Sequence, residues 1–262
     1  LNTLANDQGP DGQGFKLING VLYRRYQPTS ATQPYFCLCI PQEICRDIVH
    51  SIHHLHNMHF PAHTMQTLYS ANFYTRGANS IIKAICNSCS VCLLYSPKYT
   101  RSYSGRTRTF DQNTNVGEIL YADIAYLHRD CDQKKFALIF TDRLTGYVVA
   151  YALKEITMQS TSPCIEEYLR HLPAPSYICT DGGGEFDSLF TQVLAHHNIK
   201  HRTNIPTRSQ VQGTVEASVK LFKNLLTKLC GVHSNGRNEW SRLLPTLLQN
   251  FNCTPPYNLP LS

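Results

Sequence analysis

With 262 residues, 42% of them apolar, and a formal net charge of +6, the chain has the composition of a folded protein with room for a catalytic-sized domain plus a smaller one. No apolar run approaches the roughly eighteen residues that a membrane helix needs, which excludes a membrane span; the longest, FALIF and VVAYAL, are strand-sized. The modest positive charge permits nucleic-acid binding without establishing it. The chain starts at Leu1 and shows no charged segment leading into a hydrophobic stretch, so it reads as a non-secreted piece of a longer product. Eleven cysteines without a secretory signal, with Cys86, Cys89 and Cys92 clustered, point to a reducing compartment and a metal rather than to disulfides.

In chain order, GFKLINGVLYRR carries Asn19-Gly20 between two apolar runs. That pair predicts a hairpin, because a type I′ turn needs positive φ at both central residues. YFCLCI (35–40) is a third strand candidate. From Pro41 the period lengthens, and the recurrence of Ile44, Ile48, Ile52 and Leu55 every three or four residues predicts a helix through PQEICRDIVHSIHHLH. Residues 96–116 have few apolar residues and no period, and Lys98, Arg101, Arg106 and Arg108 make this linker basic. Strands are expected at 118–127, 135–142 and 146–153, the last two joined by a short turn. Ser162-Pro163 predicts the N-cap and first residue of the next helix. SYICTD then reads as a strand, FDSLFTQVLAHHN as a helix and IKHRTN as a strand. A long helix over 209–231, closed by Gly231, has Val215, Val219, Phe222, Leu226 and Leu229 as its apolar stripe. This order predicts an α/β fold, a mixed sheet with helices packed on it.

Two constellations carry chemistry. Six histidines lie between residues 50 and 63, and the run CNSCSVC follows downstream. Two histidines on and just after a helix plus a Cys-x-x-Cys supply the donor types and count of a tetrahedral structural zinc site. The second constellation is acidic. Asp123 lies within a core strand, Asp181 at the end of a later strand, and Glu216 near the start of the long helix. Gathered carboxylates repel one another unless a cation neutralises them. Hard oxygen donors select Mg²⁺ or Mn²⁺, and a pair of such ions suits phosphoryl transfer. The glycines 182–184 after Asp181 would let the backbone bend away from metal and phosphate.

The stretch from IVHSIHHLH to CNSCSVC, with Phe73-Tyr74 and the SIIKAI helix between, resembles the HHCC zinc-binding domain of retroviral and LTR-retrotransposon (gypsy-like) integrases. LYADIAYL, TDGGGEF and QGTVEASVKLFKNLL resemble the three blocks of the integrase catalytic core, and DRLTGY and NEWSRLLPTLLQNFNCTPP resemble its hairpin and C-terminal helix. The departures are Met58 in place of a glycine before the second histidine, an interval before Glu216 one residue short, and Ala217 where a basic residue often follows the glutamate.

The resemblance implies an RNase H-like mixed five-stranded sheet with flanking helices at 117–262. Ahead of it are expected a β-hairpin extension at 1–40, a helical HHCC domain at 41–95 and a basic linker at 96–116. It implies His53, His59, Cys89 and Cys92 as Zn²⁺ ligands, with His54 and His56 in reserve, and Asp123, Asp181 and Glu216 as catalytic ligands of Mg²⁺ or Mn²⁺. The implied function is 3′-end processing and strand transfer of element-end DNA into host target DNA by a homo-multimer. That places the protein in the nucleus at integration and otherwise in a cytoplasmic particle. Lys220 and Lys223, on the face of Glu216, are expected to meet DNA phosphates, as are Arg106 and Arg108, with Ser209 and Gln210 lining a loop ahead of Glu216. The rival expectations are an inactive, integrase-derived binding module and another RNase H-like transposase or nuclease.

Overall fold

The computed structural model describes residues 14–26, 35–54, 58–95, 115–180, 193–203, 212–232 and 236–253. They fall into two compact units, one within Leu1–Ser96 and one within Pro97–Cys253.

In the first unit, β1 (Phe15–Ile18) and β2 (Val21–Tyr26) form the hairpin, with Asn19 at φ 51° and Gly20 at φ 80°. This is the positive-φ pair that an Asn-Gly turn supplies. β3 (Tyr35–Cys39) runs antiparallel to β2, and β4 (Phe73–Tyr74) pairs parallel with β3, giving the order β1-β2-β3-β4. The aromatic pair is thus the fourth strand of the hairpin's own sheet. Arg24 stacks its guanidinium 3.9 Å over the Tyr74 ring, and the Thr75 hydroxyl donates to the Ile40 carbonyl at 2.7 Å.

Among the described residues this unit also holds α1 (Gln42–His54), α2 (Ala62–Ser70), α3 (Ala78–Ser88) and α4 (Ser90–Tyr95). The expected helix forms as α1, with Cys45, Val49 and His53 buried at i, i+4 and i+8, Ile44 exposed, and Ile48 and Ile52 half-buried; Leu55 lies outside the described residues.

The second unit holds β5 (Ile119–Tyr126), β6 (Phe136–Asp142), β7 (Val148–Leu153), β8 (Tyr177–Thr180) and β9 (Lys200–Thr203) in the order β7-β6-β5-β8-β9. The first three are antiparallel neighbours, and β8 and β9 add in parallel on the other side of β5. Parallel addition requires a crossover, which α5 (Met158–His171) supplies between β7 and β8. This is the RNase H-like arrangement, with β5 at the centre.

Leu120, Ala122 and Ile124 of β5 face a core shared with Leu138, Phe140, Ile165 and Tyr168. Alternation puts Tyr121 and Asp123 on the other face. Helix α6 (Gln212–Val232) contacts β5 and β6, and α7 (Gly236–Cys253) contacts α6 and β7. The α6 stripe is buried at Val219, Phe222, Leu226 and Leu229, with Leu225 added, and the helix runs one residue past Gly231. Trp240 of α7 is buried and its indole N–H donates to the His128 carbonyl at 2.9 Å. Asn252 brackets the Val148 peptide, accepting from its N–H at 2.9 Å and donating to its carbonyl at 2.7 Å.

One helix start also differs from expectation. α5 begins at Met158, not Pro163, because Thr157 and Ser160 form a capping box in which each side chain accepts from the other's backbone N–H. Pro163 therefore sits inside the helix, and the Ser162 hydroxyl donates to the Met158 carbonyl at 2.7 Å instead of capping. Of the helix expected in FDSLFTQVLAHHN, only the turn at 193–196 lies within the described residues.

Candidate functional site

The first unit gathers four donor side chains. His53 lies in the last turn of α1, and His59 follows in the left-handed region at φ 43° with its N–H donating to the His53 carbonyl at 3.1 Å. A non-glycine residue held there is strained by roughly 1–2 kcal/mol, and such strain persists where surrounding contacts over-determine it. Cys89 is the extended residue that ends α3, and Cys92 lies in the first turn of α4. The Cys89 Sγ is 3.2 Å from His59 Nδ1, and the Cys92 Sγ is 3.5 Å from His53 Nε2. One ligand atom from each of the four residues falls within 4.8 Å of all the others.

These separations suit a common tetrahedral centre: metal–sulfur and metal–nitrogen bonds of about 2.3 and 2.0 Å put neighbouring ligand atoms about 3.5 Å apart. His53, His59 and Cys89 are buried and Cys92 is half-buried. Soft thiolates with imidazoles match Zn²⁺ and would not suit Mg²⁺ or Ca²⁺. Of the two reserve histidines, His54 packs its ring 4.9 Å from His59 and 5.2 Å from His53 but is not one of the four, and His56 lies outside the described residues. Burial and the neighbouring His50 push the His54 imidazole toward its neutral form.

Sequence reasoning gave Cys86 no role beyond membership of the cysteine cluster. Its Sγ lies 3.7 Å from His53 Nδ1, on the ring nitrogen opposite the one that faces Cys92. The side chain therefore helps orient His53 from behind, and its three-residue spacing from Cys89 was the available signal.

In the second unit the acidic constellation is described only in part. Asp123 occupies the middle of β5, with Oδ1 accepting from the Ile124 N–H at 2.8 Å. Thr180, the last residue of β8, is paired with Ala122, so β8 ends beside Asp123 one residue before Asp181 in sequence. Asp181 lies outside the described residues. Glu216 belongs to the first turns of α6, and its side chain lies outside what is described.

The Lys223 ammonium lies 2.6 Å from Asp123 Oδ2 and donates to the Ile124 carbonyl at 3.2 Å, so it points to the acid on β5. Lys220 is exposed on the same helix. Arg106, Arg108, Ser209 and Gln210 lie outside the described residues.

No family model matches the chain. Its homologues are retroviral polyproteins. It is 26% identical to the Gag-Pol polyprotein of Koala retrovirus over 80% of this chain and 12% of that protein. Identity to the Gag-Pol polyprotein of Feline leukemia virus is 25%, over 91% and 14%. For the Pol polyprotein of Radiation murine leukemia virus (strain Kaplan) it is 26%, over 84% and 38%. The chain thus spans 12% to 38% of the length of these relatives. Among solved structures, it is similar to the catalytic core domain of BIV integrase, with a TM-score of 0.40, 19% identity and coverage of 50% of this chain and 81% of that one. It is also similar to a chain of the simian T-cell lymphotropic virus intasome in complex with the PP2A regulatory subunit B56 gamma, with a TM-score of 0.49, 20% identity and coverage of 79% and 67%.

Proposed function

We propose that the chain is the integrase of a retrovirus or LTR retroelement, a metal-dependent polynucleotidyl transferase that trims element-end DNA and joins it to host target DNA. The observation that carries this reading is the pairing, in one polyprotein-related chain, of a His/His/Cys/Cys cluster with a β7-β6-β5-β8-β9 sheet whose central strand bears Asp123. The domain limits proposed are 1–40 for the hairpin extension, 41–95 for the zinc domain, 96–116 for the linker and 117–262 for the core.

In this reading His53, His59, Cys89 and Cys92 hold a structural Zn²⁺ that fixes α1 against the α3–α4 corner. Asp123, Asp181 and Glu216 hold the catalytic ions; the end of β8 beside Asp123 supports the first two, and the position of Glu216 on the helix that carries Lys223 supports the third. Mg²⁺ or Mn²⁺ bound there would activate the attacking oxygen and stabilise the leaving one. The protein's task is to hold the acids in place, with Asp123 fixed by its own strand and by the Ile124 N–H. In processing, a water oxygen bonds to phosphorus near the element's end, and the P–O3′ bond breaks to leave a free 3′-hydroxyl. In transfer, that hydroxyl bonds to a target phosphorus and displaces the target's own 3′-oxygen. Neither step needs a protein nucleophile or an external reductant. Lys220, Lys223, Arg106 and Arg108 would neutralise DNA phosphates, and assembly as a homo-multimer on DNA in the nucleus follows from the same reading.

The test is a joining assay with a duplex DNA end, a plasmid target and Mg²⁺ or Mn²⁺. Wild-type protein should join; Asp181→Asn should join at least a thousandfold less, the order of loss typical of removing a group central to metal-assisted phosphoryl transfer, about 10³ or more, while keeping its far-UV spectrum. Joining by Asp181→Asn at the wild-type rate would sink the reading, and cutting without joining would favour a nuclease.

A further inference from the structure

The ion pair between α6 and β5 has a consequence for metal loading, which rests on the active-site reading above. Asp123 is a carboxylate on the sheet face opposite the apolar core, and Lys223 meets it at 2.6 Å while donating to the adjacent Ile124 carbonyl at 3.2 Å. About a third of each side chain is exposed, 33% for Lys223 and 31% for Asp123, so the pair is neither sealed in the core nor dispersed in solvent. Glu216 is two helical turns before Lys223 on the same helical face, because seven residues return almost to the starting angle.

We propose that Lys223 is a resident counter-ion which occupies Asp123 before a divalent cation arrives and competes with it for the carboxylate. The ammonium is a cation already standing at Asp123, and it satisfies that carboxylate. A carboxylate oxygen engaged by an ammonium at 2.6 Å is not free to coordinate a metal in the same direction. Metal loading must therefore break the pair, and it releases a flexible lysine at the edge of the site. An anionic phosphate is the partner whose chemistry fits the released group. Lys223 thus serves as a positioning residue: it holds the Asp123 carboxylate aimed through the ion pair, and it couples metal arrival to readiness for a polyanion.

Two measurements on the zinc-loaded, full chain decide this. Mn²⁺ binding followed by electron paramagnetic resonance should tighten about five-fold in Lys223→Met, the size expected when a partly exposed competing ion pair is removed. Lys223→Arg, which keeps the cation, should stay within about two-fold of wild type. Asp123→Asn should lose most of the Mn²⁺ binding. A merely structural lysine would move the result the other way, since its loss would loosen the site. Unchanged or weaker binding in Lys223→Met, with Asp123→Asn still defective, overturns the inference and leaves the active-site reading standing; full binding by Asp123→Asn overturns both. Should Lys223→Met fail to fold, acetylation of the wild-type protein read by mass spectrometry serves instead. Lys223 should label faster when Mg²⁺ is added, and a labelling rate indifferent to Mg²⁺ overturns the proposal.

Discussion

The two units solve the problem of holding polar groups in a folded interior in opposite ways. In the first, His53, His59 and Cys89 are themselves interior residues, at the junction of α1, α3 and α4. In the second, Asp123 lies on the sheet face away from an apolar core built from Leu120, Leu138, Phe140 and Ile165. Where the donors are the core, structure and metal are one equilibrium, because buried imidazoles and thiols left without a cation are costly. Where the donor rides on a completed sheet, the fold stands without the ion and the metal is a reagent. The same distinction separates a structural zinc site from a catalytic magnesium site in donor chemistry.

The largest expected effect comes from attacking that contrast directly. Stripping zinc with a strong chelator, or replacing Cys89 by Ser, should abolish the cooperative melting of the first unit, since a structural zinc contributes on the order of 10 kcal/mol of apparent folding free energy in small domains. The melting of the second unit should persist, with its circular dichroism retained. If both units unfold together on chelation, the contrast is wrong. The converse perturbation is Phe222→Ala. Phe222 is fully buried on α6 and packs its ring 5.3 Å from Phe251, so truncation should cost about 3–5 kcal/mol in the second unit. Zinc content measured by atomic absorption should not change.

How much of this was legible beforehand depended on whether the signal was local. The Asn19-Gly20 turn, the strands around Asp123 and the α6 stripe were readable because each is written in neighbouring residues. The selection of His59 by its distance from Cys89 agrees with the cluster that forms, although distance alone left His54 and His56 open. The existence of α1 was readable from its recurring isoleucines, but its buried face, Cys45, Val49 and His53, was not, because it includes a histidine that no apolar count selects. Ser162-Pro163 looked like a helix start, but the reciprocal Thr157–Ser160 cap outranked it. The Lys223–Asp123 pair and the two-residue β3–β4 pairing could not be read at all, because each joins segments whose approach is set by packing and not by adjacent sequence.

Smaller effects sharpen the comparison through pH. Burial pushes the Cys164 thiol, in the second unit's core, up from 9.0 to about 11, and burial with the nearby Asp142 pushes the Tyr168 phenol up from 10.0 to about 12. Both groups are neutral when protonated, and the unfolded chain releases those protons first. The stability they protect is therefore complete below about pH 9 and falls as pH rises toward about 11, by on the order of 2 kcal/mol for Cys164. Urea unfolding of the second unit between pH 8 and 11 should show this decline, and Cys164→Ala should flatten it. A thiolate–imidazole zinc site behaves in the opposite sense and loses its metal as pH falls. The two units should thus fail at opposite ends of the pH scale.

The smallest effect asks whether the hairpin belongs energetically to the zinc-centred helices. Gly20 sits at φ +80°, and a Cβ built there meets nothing within 4 Å, so Gly20→Ala adds backbone strain without a steric clash. The expected cost is about 1 kcal/mol, the penalty of the left-handed region for a residue with a side chain. Because β2 pairs with β3 and β3 with β4, strain at the turn should pass to the sheet that carries Phe73 and Tyr74. The melting transition that chelation removes should then fall by a few degrees in Gly20→Ala. A hairpin that frays alone would instead leave that transition fixed and speed hydrogen exchange only at residues 15–26; the sheet and the metal centre would then be separate cooperative units.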